Sequence, residues 1–508
     1  MLTLCSSRRL RFRLPHRSRR SLTSVFSTSP CPPRDDDGVR STVPVASQEN
    51  GFARGRTIYR VAPAKTGDAV TKAREFHVVK TFGGVLGLGA KDGPTTTPPS
   101  VSTMRQTGRW MYDVMWDLFL PKDARSSLTK DYFPYAKWSF VGSVVSCAAG
   151  VLSMQSLLYA IGLGAGSIPT AAAVNWVLKD GLGQFGGVLF ASMVNNRYDA
   201  DPKRWRIASS VALDISVLGE ILTPLAPGSF LAVASLANVA KNVAWLSASA
   251  TRAGFHNSFA VKENLADVTA KSGSQAIASS IVGTGLGIAI SQWTGASTVH
   301  VVAAFSVLSA LHMISTYRSV ACVQLRTLNC QRLHLVASHF LRSTSERREI
   351  PSLKSVADQE RFISTLLSGY TTSHSKSVIQ EDATLDQLSH GDPQTLWRLK
   401  EFYGQEKYLL NLKLVANGVH RIDLALEESA TSQHALRAHL HAVLIQLALE
   451  DAAISPSNAL DAWELMDQKY HEAVALHDEF MARLDESPWR TDNLLVEERS
   501  SRYKWLAE

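Results

Sequence analysis

Two long stretches without a formal charge constrain this chain more than any other feature: 41 residues from Trp138 to Leu178 and 46 from Ser272 to Tyr317. A helix needs about 20 mostly apolar residues to cross a hydrocarbon layer, so each stretch is long enough for two passes. In the second, Trp293, Thr294 and Gly295 stand midway, with Lys262 and Lys271 before it and Arg318 and Arg326 after it. Cations at both ends with an uncharged turn between them fit a helical hairpin whose ends lie on one positive side. The stretches hold as much Ala, Ser and Gly as Leu, Ile and Val, so a soluble, tightly packed helical core is the competing reading. Small residues also suit close packing of membrane helices, and Gly183 with Gly187, like Gly283 with Gly287, stands at GxxxG spacing.

Charge divides the chain further. Between Trp138 and Thr316 only 16 of 179 residues are Asp, Glu, Lys or Arg, whereas Arg342–Glu508 carries 45 of 167, 18 basic and 27 acidic. The first region suits lipid or a deep interior; the second suits water. The net charge of +8 comes from the first 34 residues, which hold eight Arg and no acid. The remainder is neutral overall and has no broad electrostatic footprint for phosphate backbones, which argues against nucleic acid. An Arg-rich, Ser-rich, acid-free opening without an unbroken apolar run has the composition of an organellar transit peptide, mitochondrial in preference to plastid. Cys5 and Cys31 would leave with it, and Cys147, Cys322 and Cys330 show no zinc or CxxC spacing.

Few motifs carry chemistry. Gly181-Leu-Gly183-Gln-Phe-Gly186 is a literal GxGxxG with Asp201 about 20 residues on. A dinucleotide site needs that turn between a strand and a helix, and the preceding AAAVNWVLKD reads as helix, so close helix packing is the better account. Asp180, Asp214, Glu220, Lys241, Arg252, Asp267 and Lys271 stand in otherwise apolar surroundings. Unpaired charge is costly there, so these residues face one another, a cavity or water, and they form the candidate ligand-binding set. Asp214 and Glu220 are expected to pair with Lys241 or Arg252. Asp267 and Lys271, four apart on a helix, are expected to pair and to frame with Arg252 a polar pocket for an anionic metabolite. His434, His439 and His441 have no HExxH pattern or carboxylate partner and read as solvated. No catalytic constellation and no metal or cofactor site is legible. From Leu396 to Val415, then His434–Leu449 and Leu460–Leu484, apolar residues recur at helical spacing.

Several ordered motifs resemble the root UVB sensitive family over about residues 116–340. They begin with Phe119-Leu-Pro121, Asp131-Tyr132-Phe-Pro134-Tyr135 and Trp138, and continue with Pro169-Thr170-Ala171-Ala172, Trp176 and Lys179-Asp180-Gly181. Asp199, Lys203, Trp205-Arg206, Thr251-Arg252-Ala253, Asn264-Leu-Ala266-Asp267-Val268, His312, Tyr317-Arg318, Thr327-Leu328-Asn329 and Arg332 complete the match. Lys179 departs from it, standing where the family usually has Arg, which keeps charge but not bidentate geometry. The resemblance implies a membrane protein linked to UVB response, auxin transport and vitamin B6 homeostasis. It implies no reaction.

The fold expected is therefore all-α, a multi-helix membrane-associated bundle over 104–341 followed by a soluble, charged helical domain over 342–508. A transit peptide (1–34) and a flexible linker (35–103) precede it, with a strand or membrane-surface segment at Glu75–Leu88. The activity expected is a non-enzymatic scaffold or small-molecule carrier of an organellar membrane, without cofactor. The rival is a peripheral enzyme or sensor of a pyridoxal-type ligand. The partners expected are membrane lipid, a second copy or another family member, and an anionic small molecule.

Overall fold

A computed structural model describes residues 43–50, 55–61, 76–81, 116–162, 170–194, 197–344, 348–363, 377–415, 419–450, 459–495 and 502–505. The chain divides into two units, Met1–Ser100 and Val101–Glu508. The transit-peptide expectation for residues 1–34 falls outside the described residues.

In the first unit, β1 (Val43–Asn50), β2 (Gly55–Val61) and β3 (Phe76–Thr81) form an antiparallel sheet in that order. Linker was expected over most of this span, and only Glu75–Leu88 suggested a strand. The β-branched and aromatic residues of GRTIYRV and FHVVKT favour extended backbone, and the surrounding Gly, Pro and Thr had masked that signal.

Between Tyr132 and Ala321 the described residues of the second unit form six long helices: α1 (Tyr132–Ala160), α2 (Thr170–Val194), α3 (Pro202–Leu222), α4 (Phe230–Phe259), α5 (Leu265–Thr294) and α6 (Thr298–Ala321). All but α2 are long and apolar enough, with the short turn after α3 included, to cross a membrane. Helix α1 packs against α3, α5 and α6, and α3 also packs against α4 and α6, with α2 resting on α4. The two GxxxG pairs are the contact faces of the outer helices. A Cβ at Gly183 would fall 2.3 Å from Asn238 of α4 and one at Gly187 3.3 Å from Asn242, and at Gly186 between them it would fall 2.6 Å from Val239. A Cβ at Gly283 would fall 2.4 Å from the Val144 carbonyl oxygen, and one at Gly287 2.7 Å from Val151. Only glycine lets these backbones approach so closely, which is why the GxGxxG match belongs to helix packing. The contacts also step in the same direction along each pair, so α2 runs parallel to α4 and α5 parallel to α1.

Helices α5 and α6 turn at Gly295, whose positive φ of 55° glycine adopts without strain. They are antiparallel neighbours in sequence, yet both pack chiefly on α1. The expected hairpin is thus wedged open by a third helix.

The C-terminal region is not the expected helical domain. Strands β6 (Tyr408–Lys413) and β7 (His420–Glu427) pair antiparallel, and β5 (Ser377–Gln380) and β9 (Arg502–Tyr503) lie parallel to β7 along its other edge. Strand β4 (Thr327–Asn329) pairs with β8 (Arg490–Leu495). Helices α7 (Cys330–Arg342), α8 (Ser432–Glu450) and α9 (Ala459–Asp485) close over one core with the sheet, joining Phe340, Tyr408, Ile422, Leu436 and Phe480. Leu396–Val415 was read as a helix, but only Pro393–Phe402 is helical before the chain enters β6. Five consecutive β6 residues are buried, and a short apolar run covered on both faces has no period that separates strand from helix. Helix α7, expected in the core, turns its apolar face to this C-terminal cluster.

Candidate functional site

Helix α3 organises the polar interior because it carries two carboxylates on its packed side. Asp214 Oδ1 lies 2.8 Å from His312 Nδ1 of α6, and Ser309, one turn earlier on α6, donates to Asp214 Oδ2 at 2.7 Å. Glu220, about two turns further along α3, receives Lys241 of α4 and Ser153 of α1 on the same oxygen, Oε2. Glu220 is 1% exposed, so this ion pair is a desolvated one held by hydrogen bonds from both sides.

A third cluster lies across α4. Asn238 Nδ2 donates to the Lys179 carbonyl at 3.1 Å and to Asp180 Oδ1 at 3.2 Å. Lys179 Nζ lies 2.5 Å from the same Asp180 oxygen and 4.8 Å above the Trp176 ring. Asn238 and Lys241 are one turn apart on α4, so the polar groups form a band. It crosses the bundle from α2 through α4 and α3 to Ser153 of α1.

Of the seven candidates, Asp180, Glu220 and Lys241 lie in this band, and Asp214 lies in the neighbouring cluster on α3. The Glu220–Lys241 pair matches the expectation. Asp214 instead finds His312, a residue noted in the sequence only as part of the family resemblance. Arg252 is exposed on α4.

Asp267 and Lys271 are not paired with each other. Asp267 Oδ2 accepts from the Lys122 backbone N–H at 2.8 Å, and Lys271 Nζ donates to the Asp117 carbonyl at 2.5 Å. Gln275, one turn on, donates to the Phe119 carbonyl at 2.7 Å and meets the Tyr132 hydroxyl at 3.2 Å. One face of α5 therefore clamps the segment that leads into α1. The helix spacing was read correctly, but both side chains satisfy backbone groups from about 150 residues earlier in the sequence.

Sequence reasoning missed a second cluster of enclosed charges. Lys203 at the start of α3 and Arg332 on α7 both bind Glu360, the second at 3.0 Å, and Arg332 also donates to the Thr327 carbonyl at 2.5 Å. Burial alone would raise the Glu360 carboxyl, but Lys203 and Arg332 outweigh it and hold the group below its usual range. Lys203 and Arg332 were visible as motif residues; Glu360 lies in a charged region where one more acid carries no signal.

The histidines of α8 also differ from expectation. His439 and His441 are buried. His441 Nε2 lies 3.0 Å from the Met466 carbonyl and Nδ1 3.3 Å from the Tyr408 hydroxyl, while His439 Nδ1 faces Glu381 at 2.6 Å. They are core residues because α8 is buried on nearly every side, which a single-face reading of its apolar pattern does not anticipate.

Comparison with known proteins is consistent over both regions. Residues 105–344 match a family described as the vitamin B6 photo-protection and homoeostasis domain, and residues 384–505 match the C-terminal domain of root UVB sensitive proteins. Protein root UVB sensitive 2, chloroplastic, of Arabidopsis thaliana is 30% identical, over 80% of this chain and 88% of its own length. Protein root UVB sensitive 3 of the same plant is 26% identical over 82% of this chain and 92% of its own. RUS family member 1 of Dictyostelium discoideum is 31% identical over 50% of this chain and 48% of its own. No solved structure matches.

Proposed function

The chain belongs to the root UVB sensitive family, and from that premise we propose a non-enzymatic protein embedded in an organellar membrane, acting as a small-molecule carrier. One observation carries this reading: the core exposes large apolar side chains while it encloses charged ones. Val177, Leu236, Ile281, Trp293 and Val299 are each 70–76% exposed, while Lys179, Glu220 and His312 are buried. Water would reverse that arrangement, and lipid favours it. The charged band through Asp180, Lys241 and Glu220, with Asp214 and His312 beside it, is the polar interior such a carrier would use. The family description supports a vitamin B6 compound as cargo. The chloroplastic relative supports an organelle; the Arg-rich opening is our reason for preferring the mitochondrion.

The test has two steps. The full chain is expected to resist carbonate extraction, and liposomes containing it are expected to take up pyridoxal or pyridoxal 5′-phosphate faster than empty ones. Glu220→Gln should abolish the difference while the protein remains in the membrane. Release by carbonate would favour the peripheral enzyme or sensor; integration without flux would leave a scaffold.

A further inference from the structure

Arg206 and Arg252 come together at one end of the bundle with no acid between them. Arg206 lies half-buried in the second turn of α3, and its Nη1 donates to the Ala248 carbonyl at 3.2 Å. Arg252 stands one turn beyond Ala248 on α4 and is exposed. The two guanidinium groups are close enough to repel each other, and Tyr135 of α1 is the other group that acts on Arg206. His256, one turn further along α4, feels the same two cations and no carboxylate. Among the described residues, Arg252 makes no hydrogen bond or ion pair, and Arg206 makes none beyond the Ala248 carbonyl. Tyr135 packs its ring on Phe255 and Phe259 of α4 at 5.8 and 4.9 Å, and its hydroxyl has no partner among the described residues. Neither that hydroxyl nor the free nitrogens of Arg206 are closed to water, so a ligand can reach them.

The other cations packed into this core have acids: Lys203 and Arg332 share Glu360, Lys241 has Glu220, and Lys179 has Asp180. Two neighbouring cations without one repel each other, a cost that an anion placed between them removes. Two fixed positive charges match a dianion, whereas a carboxylate would leave one of them over. A phosphate monoester carries about −1.5 to −2 and three acceptor oxygens, which suits two guanidinium forks and a hydroxyl. The site lies where α1 and α3 begin and α4 ends. The connections at the opposite end, 161–169, 223–229 and 295–297, contain no Asp, Glu, Lys or Arg, so the positive-inside rule sets the site on the inner side. From Arg206 polar groups step inward along α3 at one-turn intervals: Ser210 donates to Thr316 at 3.3 Å, and Asp214 then meets His312.

We propose that Arg206, Arg252 and Tyr135 bind the phosphate of a phosphomonoester at the mouth of the bundle. Asp214 and Glu220, further in, repel the phosphate and keep it there. The ester is a soluble metabolite or a lipid with a monoester headgroup; the recognition chemistry is the same. The proposal deepens the carrier reading and rests on it for the membrane placement of the site.

The experiment is native mass spectrometry of the full chain in detergent with two probes: glycerol 3-phosphate, and phosphatidic acid, which is the same headgroup on acyl chains. Equal binding of the two supports a soluble ester, and tighter binding of phosphatidic acid supports a lipid. Phosphatidylcholine, a diester, binding as tightly as phosphatidic acid would overturn the proposal. Arg252→Gln removes an exposed side chain and should weaken binding about tenfold or more without lowering the melting temperature. Arg206→Lys keeps the charge but not the fork and should bind between the unmodified chain and Arg206→Gln. Lys130→Gln removes an exposed cation that does not act on Arg206 and should leave binding unchanged. A loss there equal to that of Arg252→Gln would reduce the effect to diffuse charge and overturn the site. Carbonate-resistant protein that binds neither probe would overturn the site alone. Binding of a probe without uptake of pyridoxal or pyridoxal 5′-phosphate into liposomes would support the site and overturn the carrier.

Discussion

Glu220 of α3 and Lys241 of α4 form an ion pair inside the bundle, and Ser153 of α1 donates to the oxygen they share. Removing one member strands the other in a medium that cannot solvate it. Glu220→Ala or Lys241→Ala is therefore expected to cost about 3–5 kcal/mol, whereas Glu220→Leu with Lys241→Met should cost less than either. Thermal unfolding in detergent reads the difference; a double variant as unstable as the sum of the two would contradict it.

The glycine faces make a positional prediction. Gly283→Val drives a side chain into the α1 backbone and should destabilise the core by about 1–3 kcal/mol or more. Gly285→Val, two residues away, meets nothing within 4 Å and should be tolerated. Size-exclusion profiles after graded heating separate the two, and equal tolerance would refute the packing role.

Asp267 and Lys271 bind backbone groups of the segment before α1 rather than each other. Exchanging them by Asp267→Lys with Lys271→Asp should therefore not restore what either single change loses. The measurement is limited proteolysis near Asp117–Lys122. Full protection in the exchanged variant would point to an ordinary ion pair.

His441 sets a pH dependence in the C-terminal region. Burial lowers its pKa to about 4 against the favourable pull of the Met466 carbonyl. Desolvation, followed by the nearby His439 and Arg342, lowers the half-buried His334 to about 3. In both cases the unfolded chain takes up protons more readily below the ordinary value of 6.5, so stability is complete above that value. It falls as the pH drops from 6.5 towards 4, by at most about 1.4 kcal/mol per unit for each histidine. Hydrogen exchange of β6 and β7 between pH 7.5 and 4.5 should show this loss. His441→Gln should make it shallower; an unchanged slope would exclude His441 as its source.

The six-helix core was legible because its signals are local. Thin charge, length and glycine spacing report on a helix and its contact face without reference to the partner, as Gly183 and Gly283 illustrate. The C-terminal sheet was not legible for the converse reason. Tyr408–Leu412 and Ile422–Leu426 are covered on both faces, and nothing within either segment records that they lie side by side. Lys203, Arg332 and Glu360 show the same limit, since their meeting joins three distant parts of the chain.

By itself, the sequence of this protein determined that long apolar helices form, that their glycines mark close packing, and that a few charges must be compensated inside. Each follows from backbone geometry and solvation at a single residue or a single helix. Only the tertiary structure decided which charge meets which. Glu220 found Lys241, Asp214 found His312, and Asp267 turned to a backbone amide, because a charge accepts any suitable partner within reach. Reach is set by how the helices pack.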